Sequence, residues 1–147
     1  MKVETTRFGT VEVSDDRLID FKNGLLGFSS YTQYILLQPD EDGVFYWLQS
    51  TEAAELAFVV TDPRLWVGDY EATIRTEQME QLQLQNQDDA QVFVIVNKYD
   101  KALTANLQGP IIINLRSQKA MQLVLAEKRW NTRHEIVEIT QDQAVSA

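Results

Sequence analysis

At 147 residues, 44% of them apolar, the chain has the length of one domain and enough apolar material to bury a core unaided. It has no cysteine, which excludes disulfides, thiolate metal centres and a cysteine nucleophile. A net charge of −9 has the wrong sign for neutralising phosphates, and argues against direct nucleic-acid binding and against anionic membrane surfaces.

The N-terminus, MKVETTRFG, alternates polar and apolar residues and carries no apolar signal region. Val11 and Val13, then Ile19 and Phe21, continue an alternation of period two. Short runs rich in β-branched and aromatic residues follow: Tyr34–Leu37, Phe45–Leu48, Leu56–Val60, Val92–Val96, Ile111–Leu115 and Leu123–Leu125. The middle runs are apolar at consecutive positions, which predicts strands buried on both faces. Asn23-Gly24, Gly27, Pro39–Gly43, Asp62-Pro63, Gly68-Asp69 and Gly109-Pro110 supply the turns between them. One helix is predicted near Glu77–Leu84, with Thr76 as its N-cap and Met79 and Leu82 on one face. The fold class expected is mainly β: a small antiparallel β-barrel-like single domain over residues 1–140 with one short helix. Residues 141–147 lose periodicity and read as a flexible tail. The longest apolar runs fall far short of the ~20 residues a membrane-spanning helix needs, so a cytoplasmic protein with no membrane contact is expected.

Charge is distributed unevenly. From Asn23 to Pro63 there are six carboxylates and no Lys or Arg; from Arg116 to Arg133 there are five cations and one carboxylate. That asymmetry points to a molecule with one negative and one positive face.

Catalytic signals are missing. The single histidine, His134, stands beside Arg133 and Glu135 and reads as a surface residue. No nucleophile elbow, phosphate loop, dinucleotide fingerprint or HExxH zinc motif occurs. The Asp40-Glu41-Asp42 triplet lacks the alternating spacing of a calcium loop and reads as a solvated turn. A small β-barrel enzyme or ligand-binding module of unknown substrate is the alternative reading. It requires carboxylates to converge in a concave pocket, and the sequence selects no pair. A single-strand nucleic-acid barrel is a further alternative, disfavoured by the charge.

Phe45-Tyr46-Trp47 places Phe45 and Trp47 on one face of a strand and Tyr46 on the other, with Tyr46 expected at a partly exposed pairing position. Trp66 and Trp130, in loop-like contexts, are further candidates for exposed aromatic anchors of the kind protein interfaces use.

Nearly the whole chain, about residues 3–140, resembles the FliW family. The match is carried by Phe8-Gly9 with Glu12-Val13, FKNGLLGF at Phe21–Phe28, LLQ at Leu36–Gln38, WLQS at Trp47–Ser50 and LAFVVTDP at Leu56–Pro63. It continues through VFVIVN at Val92–Asn97, LTANLQGPIIIN at Leu103–Asn114 and QLVL at Gln122–Leu125. The resemblance implies a non-enzymatic, β-barrel-like flagellar assembly factor with no cofactor or metal. It also implies two protein partners, the RNA-binding translational regulator CsrA and flagellin, with flagellin occupying the factor and releasing CsrA to repress again. Such a switch is a coupling free energy between two binding events and is reciprocal. The family does not assign contact residues here. On charge and aromatic content, Asp40, Glu41, Asp42, Tyr46 and Trp47 are the candidates for contacting basic CsrA. Asp62, Asn106 and Asn114 are motif residues that either contact a partner or satisfy backbone groups at strand ends.

Overall fold

Alternation of period two builds a closed barrel. The computed structural model describes residues 1–138 apart from residue 42; the expected tail at 141–147 lies outside the described residues. Along the chain run β1 (Lys2–Thr5), β2 (Gly9–Glu12), β3 (Ile19–Phe21), β4 (Gln33–Leu37), β5 (Phe45–Ser50) and β6 (Ala57–Thr61). The helix α1 (Thr76–Gln81) follows, then β7 (Gln91–Tyr99), β8 (Ala102–Ala105), β9 (Ile111–Asn114), β10 (Lys119–Gln122) and β11 (His134–Glu138). β3 to β7 pair in sequence, β10 joins β3 to β9, and β9 pairs back onto β7. These seven strands close on themselves, which removes the edges an open sheet would expose.

Two features make closure possible. The long strand β7 pairs through Gln91–Phe93 with β9 and through Val96–Tyr99 with β8, so one strand serves the barrel and a three-stranded flap ending in β11. The seam between β3 and β10 is parallel, Lys119 beside Asp20 and Ala120 beside Phe21, whereas every other strand pairing among the described residues is antiparallel. A parallel seam joins strands about a hundred positions apart, which no local turn signal can announce.

The inward residues form one buried cluster: Ile19, Phe21, Tyr34, Leu48, Val60, Phe93, Ile111, Ile113 and Ala120. A second cluster lies outside the barrel wall, where Val94 and Ile112 meet Tyr70, Ile74, Leu82, Leu123 and Trp130. The consecutive apolar runs of β7 and β9 are therefore buried on both faces, as their sequence predicts. The helix is shorter than expected, and its N-cap is Arg75, with Gln78 Oε1 accepting from the Arg75 N–H at 2.8 Å. Thr76 is its first residue. Met79 packs against the outer cluster and Leu82 is buried in it.

The strand expected over residues 123–125 is displaced. The strand itself is β10, and the following residues are extended but lie outside the ladder. β1 falls within the alternating N-terminal stretch, whereas β8 and β11, of four and five residues, carry no separate pattern in the sequence. At the Asn23-Gly24 turn, Gly24 has φ +66°, and a Cβ there would stand 2.6 Å from the Phe28 carbonyl oxygen. Only glycine fits.

Candidate functional site

The β4–β5 turn, the start of β5 and the exit of β6 meet at one end of the barrel, because antiparallel pairing sets Phe45 opposite Thr61 and Leu37 opposite Trp47. This end gathers most of the candidate residues. Asp40 and Glu41 are exposed in the turn, which is closed by the Gly43 N–H donating to the Asp40 carbonyl at 2.9 Å. Asp42 lies outside the described residues. Asp62 follows β6 and accepts from the Arg64 N–H at 2.9 Å, capping a single 3-10 turn, Pro63–Leu65. Thr61 is fully buried; its hydroxyl donates to the Val44 carbonyl at 2.7 Å and accepts from Trp66 Nε1 at 3.1 Å. That bond holds the Trp66 ring stacked on Phe45, centroids 5.9 Å apart. Exposed Val44 and Leu65 flank the stack. The result is an apolar and aromatic surface beside three carboxylates, Asp40, Glu41 and Asp62.

Tyr46 and Trp47 part company across the strand. Tyr46 points inward, edge-on to Phe93 at 5.2 Å, and stays partly exposed at the barrel end, paired with Val60 across the ladder. Trp47 points outward, but the β1–β2 hairpin covers it: the Phe8 ring meets it edge-on at 5.8 Å and the Arg7 guanidinium sits 4.2 Å from its centroid. Trp130 is not an exposed anchor either. It is buried against Tyr70, centroids 4.7 Å apart, with Arg129 over its face. Among the loop tryptophans only Trp66 reaches the surface described here, a placement signalled beforehand by Asp62-Pro63, which sets the turn that carries it.

The two asparagines lie apart from this end. Asn106 follows β8 and accepts from the Gly109 N–H at 3.0 Å. Asn114 is buried, and its amide donates to the Leu82 and Gln83 carbonyls at 2.9 and 3.2 Å while accepting from the Arg116 N–H. It ties the end of α1 to β9. Both side chains satisfy backbone groups that would otherwise be stranded.

Folding also redistributes the charge. Arg7 arrives over Trp47 and Arg17 reaches the Leu36 carbonyl at 3.4 Å, so arginines from elsewhere border the acidic stretch. In the basic stretch, Arg129 pairs with Asp69 at 3.0 Å.

Two tyrosines have raised pKa values. Burial pushes Tyr34 up to about 12, with Glu52 and Tyr31 adding to the rise. Burial alone raises Tyr70, whose hydroxyl donates to the Leu107 carbonyl at 2.6 Å. Both are packing residues. Among the described residues, no three His, Asp or Glu side chains gather as a potential metal set, and no helix is long and apolar enough to cross a membrane. A groove of about 410 Å³ lies between α1 and β10 and has Asp20 and Glu77 on its lining.

A seven-stranded barrel with a laterally placed helix, an outer apolar cluster and an aromatic, acid-flanked end defines a small β-barrel protein. The FliW family model, described as "FliW protein", matches residues 2–136, and the chain belongs to that family. A relative from Alkaliphilus metalliredigens, named "Flagellar assembly factor FliW", is 40% identical over 94% of this chain and 87% of its own length. One of the same name from Treponema denticola is 38% identical over 93% and 94%. A solved structure, "Crystal structure of the flagellar assembly factor FliW", superposes with a TM-score of 0.85 at 31% identity, covering 93% of this chain and 97% of that one.

Proposed function

We propose that this protein is a non-enzymatic flagellar assembly factor that works by binding two proteins, the translational regulator CsrA and flagellin, and so couples flagellin synthesis to assembly. The observation that carries the reading is family membership across residues 2–136, together with relatives named flagellar assembly factors at up to 40% identity. Binding without catalysis fits a molecule whose Asp40 and Glu41 lie on an exposed turn.

The acid-flanked end is the surface assigned to CsrA. An RNA-binding protein carries basic surface, and Asp40 and Glu41 in the exposed turn, with Asp62 and the Phe45–Trp66 stack behind them, match it in charge and offer an apolar centre. Rim charges of this kind act chiefly on association rate and its salt dependence. Trp47 and Tyr46 serve this surface from behind, by holding β5 against the hairpin and the core.

Calorimetric titration with CsrA and with flagellin from the same organism, separately and in competition, tests the function. Binding of both with displacement of one by the other is expected; a folded protein that binds neither refutes it. The surface assignment has its own test. The double change Asp40→Lys with Glu41→Lys should slow CsrA association about tenfold at low salt and flatten its salt dependence, leaving flagellin binding intact. Unchanged association kinetics would remove CsrA from this end.

A further inference from the structure

We propose that the extended segment at residues 123–126 is a strand-addition site for an extended peptide that is acidic at one end and basic at the other. It is a second docking surface, separate from the acidic end of the barrel.

The argument begins with main-chain accounting. Beyond β10 the chain stays extended, and the Leu123 and Leu125 N–H groups donate to the Pro110 and Gln108 carbonyls, both at 2.8 Å. In an extended chain alternate residues face opposite edges, so Val124 and Ala126 direct their N–H and C=O groups the other way. There β3 has already ended at Phe21, and no described residue continues the pairing. The Val124 main chain makes no hydrogen bond with any described residue, and its side chain is 67% exposed. A closed barrel otherwise hides its edges; this one is left open.

The space beside that edge has the shape and charge of an extended ligand. Two grooves, about 410 and 250 Å³, share Arg75, Gln78, Leu123 and Val124 and so run on from one to the other along the segment. Lys22 and Lys119 line the first, Glu71 and Glu127 the second. None of these four makes an ion pair with a described residue, whereas Arg75, between them, is already paired with Glu77 at 3.3 Å. Asp20, also without an ion pair to a described residue, lines the first groove too, so the unpaired charge is net positive at that end and negative at the other, on either side of exposed Val124. Only a polypeptide backbone offers donors and acceptors at the repeat of the open edge, and strand addition uses that match for affinity and side-chain contacts for specificity.

Nitrogen-15 amide spectra of the full chain, titrated with two synthetic nonapeptides, provide the test. One runs Asp-Asp-Val-Thr-Val-Thr-Val-Lys-Lys and the other has the reverse order. One orientation should shift the Val124 and Ala126 amides downfield and slow their exchange. Methylating alternate peptide nitrogens on the bonded edge should abolish the effect, and Lys22→Glu with Lys119→Glu should weaken it about tenfold. Val124→Pro removes a donor that makes no internal bond and should also abolish binding; if that variant misfolds, the methylated peptide and the lysine pair still decide. Neither orientation perturbing the segment, or a methylated peptide binding equally well, overturns the proposal. Concentration-dependent shifts at these amides without peptide would overturn it in favour of a second copy of the chain.

Discussion

Asn114 shows how much one polar side chain can hold in place. Its amide serves two carbonyls at the end of α1 and one N–H beyond β9 from a buried position. A helix of six residues is too short to persist on its own propensity, so this tie and the burial of Leu82 keep it on the barrel wall. Asn114→Ala takes the side-chain donor from the Gln83 carbonyl and the acceptor from the Arg116 N–H, while the Leu82 carbonyl keeps the Ser117 hydroxyl; it should cost about 1–3 kcal/mol, read as a lower urea midpoint with an unchanged slope. A loss below about 0.5 kcal/mol would mean that water replaces the amide. The same residue was a candidate for partner contact. Its burial makes the structural bonds the immediate reason for its identity.

At the scale of elements, the β1–β2 hairpin stands outside the barrel as its own two-stranded sheet. An isolated hairpin is marginal in water. This one is lengthened by a Val13 N–H to Met1 carbonyl bond at 2.9 Å and fastened to the barrel by the Thr6 N–H to the Ala54 carbonyl at 2.9 Å and by Phe8 and Arg7 over Trp47. Phe8→Ala should therefore open the hairpin before the barrel. Hydrogen exchange at the Val3 and Val11 amides should accelerate about tenfold or more, while amides of β5 and β7 keep their protection. Equal acceleration everywhere would show that the hairpin is part of the cooperative unit.

For the molecule as a whole, the two buried phenols give stability an alkaline limit. Below pH ~10 both tyrosines are neutral in the folded and unfolded chains alike, and their contribution is constant. Above it the unfolded chain releases phenolic protons that the native state keeps, up to about pH 12 at Tyr34. The unfolded state then binds fewer protons, so stability falls as pH rises. The urea midpoint is expected to decline from pH 10 towards 12, and Tyr34→Phe should make that decline shallower. A midpoint independent of pH across this window would contradict the burial of both hydroxyls.

Much of this was legible in the order of residues. Alternation over Ile19 and Phe21, and continuous apolar runs at Val92–Val96 and Ile111–Ile113, mark the strands and even which of them are covered on both faces, because side-chain direction in a strand follows position alone. The motifs from Phe21–Phe28 to Leu103–Asn114 likewise carried the family. What pattern leaves open is which strand meets which. The parallel β3–β10 seam and the closure of β9 onto β7 join positions far apart in the chain, and only packing of the whole barrel selects them. The same holds for the candidate site. Tyr46 faces inward because β5 is covered on that side by β7. Trp130 is buried because Tyr70 comes to meet it, and the acidic stretch is bordered by arginines that the sequence places elsewhere. The open edge at Val124 is likewise invisible in one dimension, since an edge exists only where a neighbouring strand has stopped.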